Sequence, residues 1–90
     1  MRRFKILDIL IEFKFVKLKD AGITGEQARK LSRTELQALP RMTREMAQAR
    51  RQVNEYGKCL EKRYDNIRLR RYAVVSLGFE RIWWTEVNGE

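Results

Sequence analysis

The sequence contains no histidine and a single cysteine, Cys59. Disulfide frameworks, zinc sites and Cys/His or Ser/His nucleophile pairs are therefore excluded within the chain. A lone thiol fits reducing, cytoplasmic surroundings. Long apolar runs are also lacking. After Met1, Arg2 and Arg3, the first apolar stretch is interrupted by Lys5, Asp8, Glu12 and Lys14, so neither a signal peptide nor a membrane span is expected. There is no internal repeat and no low-complexity segment. Acidic residues are the scarce charge. Twelve Asp and Glu against 20 Lys and Arg leave a net charge of +8 and a pI near 10.2. That balance favours a polyanionic partner such as DNA or RNA over a merely soluble basic protein.

What is present argues for one folded domain over residues 1–90. Hydrophobic residues make up 43% of the chain and charged residues 36%, enough for a core beneath a wet, mixed surface. The basic residues concentrate in the second half, at Arg41, Arg44, Arg50, Arg51, Lys58, Lys62, Arg63, Arg68, Arg70, Arg71 and Arg81. Arg68, Arg70 and Arg71, placed before a predicted strand, form a candidate phosphate-contact cluster or a solvated strand end.

The stretch from Ile6 to Val16 reads as a strand. Strand alternation sends Leu7, Ile9, Ile11, Phe13 and Phe15 to one face and Ile6, Asp8, Leu10, Glu12, Lys14 and Val16 to the other. The first face is purely apolar and the second turns charged toward its end, the pattern of a central strand buried on both sides with a polar site near its exit. Two readings of Glu12 and Lys14 stand. They form a same-face ion pair at the sheet margin, or they belong to a metal-dependent phosphodiesterase site.

Residues Lys17 to Gly22 then read as a turn. Thr24 with Gln27, and Ser32 with Glu35, offer capping boxes for two short helices, ending near Leu31 and Leu39. Pro40 stops the second, and a long helix is expected from about Met42 to Arg63, with Met42, Met46, Ala49, Val53, Tyr56 and Leu60 on one stripe. Docking of that stripe on the sheet is favoured over a coiled coil of about three heptads, because Ala49 and Tyr56 make poor seam residues. Cys59 lies beside the stripe as packing. Tyr64, Asp65 and Asn66 are turn residues, Tyr72 to Leu77 is a strand, and Gly78 to Glu80 a tight connection. Arg81 to Val87 is its hairpin partner, with Trp83 and Trp84 on opposite faces, one in the core and the other an interface anchor or base-stacking platform. The order strand, helices, strand, strand permits a parallel first pair through a right-handed crossover.

Glu12-Phe13-Lys14, followed by a helix carrying Gln52 and Tyr56, resembles the E-x-K and Q-x-x-x-Y elements of the PD-(D/E)XK nuclease superfamily. The resemblance extends to the nuclease-like domain that follows AAA-type ATPase-like domains in bacterial and archaeal proteins. It covers Ile9 to Lys19, Thr24 to Glu26, Leu31 to Pro40 and Tyr72 to Arg81. It implies an α/β, restriction-endonuclease-like mixed sheet, truncated to its C-terminal part, with one long helix packed on it. It also implies that Glu12 and the Phe13 backbone carbonyl hold Mg²⁺ or Mn²⁺. Lys14 would help position the attacking water, and Gln52 and Tyr56 would line the site. The implied activity is hydrolysis of a DNA phosphodiester.

The family places a second metal-binding Asp on a preceding strand, after a helix that often supplies another acid, and this chain contains neither. Asp8 does not substitute, since four strand residues separate it from Glu12 by about 13 Å. Three accounts follow: a fragment of a longer nuclease-like protein, a member that completes its sheet with another chain, or a non-catalytic member kept for nucleic-acid binding or assembly. All three predict an exposed sheet edge and apolar patch, and a homo-oligomer, at least a dimer, is expected.

Overall fold

The computed structural model describes residues 6–64 and 67–87, with side-chain surroundings for 9–64 and 69–87. In order these form β1 (Ile6–Val16), α1 (Leu18–Ala21), α2 (Gly25–Lys30), α3 (Arg33–Ala38), α4 (Pro40–Arg63), β2 (Ile67–Leu77) and β3 (Arg81–Val87). The result is an α/β fold. A three-stranded sheet of order β1-β2-β3 pairs β1 parallel with β2, and β2 antiparallel with β3, and the long helix α4 lies on it.

Local chemistry places the short helices. The Thr24 hydroxyl accepts from the Gln27 backbone N–H at 3.2 Å, and the Gln27 side chain accepts from Thr24 N–H at 3.0 Å. Ser32 and Glu35 repeat the reciprocal arrangement at 3.1 and 2.8 Å. Each box satisfies two donors that a helix start leaves open, which is why both were legible in sequence. The segment expected as a turn at Lys17 to Gly22 is instead one helical turn, α1, closed by Gly22 at φ 77°. The long helix begins two residues earlier than expected, with Pro40 in its first turn, where the missing N–H costs nothing.

Arg81 ties these helices to the hairpin. Its Nη1 donates to the Leu31 carbonyl at 2.6 Å and to the Ala28 carbonyl at 2.9 Å, the latter also accepting from Leu31 N–H at 3.3 Å. Arg29 reaches Glu80 at 2.9 Å beside it.

The core is the layer between α4 and the sheet. Met42, Met46, Ala49 and Val53 from the helix are buried, as are Val16, Ala73, Val75 and Leu77 from the strands and Ala28 and Leu36 from the short helices. The helical stripe departs from expectation at its end: Tyr56 is exposed and Gly57 takes the buried position. The Arg71 guanidinium lies against Gly57 so closely that a Cβ there would overlap it. Cys59, expected as packing, is exposed.

β1 is an edge strand, not the central one. Its even-numbered face meets α4, whereas Ile9, Ile11, Phe13 and Phe15 are 46–59% exposed on a face that no described element covers. The exposed edge and apolar patch expected of the chain are both present. β2 is the middle strand and begins at Ile67 rather than Tyr72, so Arg68, Arg70 and Arg71 lie within it. The β3 bounds match the expected Arg81 to Val87, and the turn expected at Asp65 and Asn66 lies outside the described residues.

Candidate functional site

Glu12 and Lys14 sit two residues apart on β1, so both side chains point to the α4 side of the sheet. The Lys14 ammonium is 3.5 Å from a Glu12 carboxylate oxygen, and the two side chains are 23% (Glu12) and 21% (Lys14) exposed. The register puts Glu12 beside Ala73 and Lys14 beside Val75, small or apolar neighbours that leave the pair to each other and to solvent.

Phe13 points its ring to the open face, where it is 54% exposed. Carbonyls alternate between the two edges of a strand. The Val16 carbonyl accepts from Gly78 N–H at 2.8 Å on the β2 side, which directs the Phe13 carbonyl, three residues earlier, to the free edge. The carboxylate of Glu12 and the carbonyl of Phe13 therefore border one unpaired strand edge.

Gln52 projects from the covering helix. Arg71 fixes the level of Gly57 on the sheet, and one helical turn of about 5.4 Å corresponds to roughly two strand residues. Val53 and Gln52 thus come to the level of Ala73 and Glu12. The Gln52 Oε1 is buried and accepts no hydrogen bond. An orphaned acceptor of this kind costs about 1–3 kcal/mol, and the Arg71 Nε in the same layer is likewise buried without a partner. Tyr56, expected beside Gln52, is 59% exposed and does not join the buried layer.

The arginines expected as one phosphate-contact cluster are divided by strand alternation. Arg70 is on the open face, where it donates to Glu86 at 3.0 and 3.2 Å and lies 5.7 Å over the Tyr72 ring. Its hydrogen bonds hold the Glu86 carboxyl below the usual carboxylate range, and the same contact raises the Arg70 guanidinium. Arg71 points the other way, is 4% exposed, and donates to Glu61 at 2.7 Å. Arg68 pairs through its backbone with Leu7, and its side-chain surroundings lie outside the described residues.

A basic row that sequence reasoning did not single out appears instead on the solvent face of α4. Arg44, Arg51, Lys58 and Lys62 are all exposed, and none takes part in the ion pairs among the described residues. Their spacing of seven, seven and four was the available signal, since it keeps side chains on one helical face.

A magnesium or manganese ion takes several oxygen ligands in near-octahedral geometry. Among the described residues no three Asp, Glu, Cys or His side chains come together. The pair offers one carboxylate, already facing an ammonium, so the described residues of one chain do not fit such an ion by themselves. No described helix is long and apolar enough to cross a membrane. No protein-family model matches the chain, and neither a curated protein nor a solved structure matching it was found.

Proposed function

We propose that this chain is the C-terminal part of a PD-(D/E)XK nuclease-like, restriction-endonuclease-like fold and contributes half of a DNA phosphodiesterase site. The observation that carries the reading is the Glu12–Lys14 pair on a strand whose outer edge is paired by no strand among the described residues. A strand or loop laid along that edge, from another chain or from further sequence, would bring a second acid beside Glu12 and the Phe13 carbonyl. Only such an assembly would hold Mg²⁺ or Mn²⁺. Lys14 then orients a water for in-line attack on phosphorus, one P–O ester bond breaks, and the leaving oxygen takes up a proton. The test is cleavage of supercoiled, linear and single-stranded DNA with each cation, beside Glu12→Ala and Lys14→Ala. Cleavage lost in both folded variants is the expected result. Cleavage equal to wild type in both variants overturns it, and no cleavage by the wild type excludes completion of the site by a second copy of this chain.

The basic row on α4 favours a second reading, a non-catalytic nucleic-acid-binding module. Four exposed cations along a 24-residue helix of about 36 Å suit a run of phosphates. DNA affinity should then fall steeply with salt and survive Glu12→Ala. Each of Arg44→Ala, Arg51→Ala and Lys58→Ala should lower the salt slope by about one. An affinity indifferent to salt would remove phosphate contact from consideration.

A further inference from the structure

We propose that a second copy of this chain packs on the uncovered face of the sheet, sheet against sheet. The proposal is independent of the nuclease-like reading, because Glu12 and Lys14 occupy the opposite face. Ile9, Ile11, Phe13 and Phe15 from β1 and Ile82 and Trp84 from β3 are 46–61% exposed there, and Phe79, beside Phe15, is 97% exposed. Aromatic side chains present 150–250 Å² each, so this face offers on the order of 800 Å² of apolar surface. Apolar patches on monomers run to about 300–600 Å², and a standard interface takes about 800 Å² from each partner.

The chemistry of the face points to a copy of itself rather than to an acidic or polyanionic partner. Among its described side chains the charges are already partnered: Arg70 with Glu86 at one end, and Glu80 with Arg29 at the rim near Phe79. Of the polar side chains that β2 adds to it, Ser76 donates to the Gly78 carbonyl at 2.6 Å and the Tyr72 ring packs edge-on against Trp84. Two such faces meet with their described charges already paired. A hollow of about 370 Å³ between Phe13, Phe15, Phe79 and Ile82 gives relief for an opposing aromatic ring. Two twisted sheets packed in this way form a sandwich core about 10 Å thick. Pairing of two β1 edges would instead leave both apolar faces in water.

Sedimentation equilibrium of the wild type from 1 to 100 µM tests the proposal, with tryptophan emission followed over the same dilution. A mass twice 10.8 kDa is expected, with emission shifting to the red as Trp84 is exposed on dissociation. Phe13→Glu and Trp84→Glu should each weaken the dimer by at least roughly 30-fold. Ile11→Thr with Phe13→Thr, which keeps strand-forming residues, should do the same if either charged variant fails to fold. A monomeric wild type at 100 µM overturns the proposal, as does a dimer indifferent to these changes, which edge pairing predicts. A monomer that floats with neutral phosphatidylcholine vesicles overturns it in favour of a lipid surface.

Discussion

Val74 and Val75 are neighbours in β2 and chemically identical, yet Val75 is fully buried beneath α4 while Val74, on the other face, is only partly shielded by its strand neighbours. The same contrast runs along β1, where Val16 is 2% exposed and Phe15, one residue earlier, is 46% exposed. One face of this sheet is a finished core and the other has the composition of a core without a covering layer. Residue type therefore does not distinguish them. What distinguishes them is whether another element has arrived to remove the side chains from water.

The difference should be measurable as stability. Leu77→Ala removes a fully buried side chain from the covered layer and should cost about 2–5 kcal/mol, transfer and cavity together. Phe13→Thr on the open face, measured in the dilute monomer, should change stability by about 0.5 kcal/mol or less. Urea unfolding of both variants checks the contrast. If Phe13→Thr costs as much as Leu77→Ala in the dilute monomer, the open face is covered within the chain and the comparison fails. A penalty for Phe13→Thr that appears only at high protein concentration sharpens it, because the missing layer is then the second copy.

The next largest effect is expected where Arg71 crosses the covered layer. Alanine at Gly57 gains about 1 kcal/mol of helix propensity, but its Cβ would overlap a guanidinium that is 4% exposed and paired with Glu61. Expelling the guanidinium should outweigh the gain, for a net loss of about 1–3 kcal/mol. Arg71→Val in the Gly57→Ala background should recover most of it, because valine suits a strand and leaves the space open. A double-mutant cycle measures the coupling, and additive losses would show that the two residues do not share that space.

These two residues also mark where sequence reading stopped. The capping boxes, the β3 bounds and the parallel first pair were legible, because each depends on contacts within a few residues or on chain length between strands. Gly57 was not, since an apolar stripe is sought among large residues and Tyr56 supplied one at the right interval. Arg71 was read as a surface cation because a buried guanidinium is unusual. Its burial depends on Glu61 and on a glycine opposite, 14 residues away in sequence. The edge position of β1 was illegible for a related reason: alternation records which side chains could be buried, not whether anything covers them. Within the candidate site, the Glu12–Lys14 proximity followed from strand period alone, whereas the division of Arg70 from Arg71 required knowing that β2 begins at Ile67.

Arg70 and Arg71 provide the finest form of the comparison, adjacent cations on opposite faces. The Glu86 carboxyl, held low by Arg70, contributes stability that is present above the ordinary carboxylate range and lost as pH falls through its depressed folded-state value. Because the Arg70–Glu86 pair is solvated in the monomer, salt near 1 M should remove most of its effect, whereas the coupling between Arg71 and Gly57 should persist. A carbon-detected NMR titration of Glu86 in wild type and Arg70→Gln reads this directly, with the Glu86 midpoint expected to rise in the variant. An unchanged midpoint would mean that the pair does not form in solution. At protein concentrations where two open faces meet, the pair would be withdrawn from water and its salt sensitivity should decline. Arg70 would then behave as Arg71 does already, and the asymmetry between the faces would be lost through assembly alone.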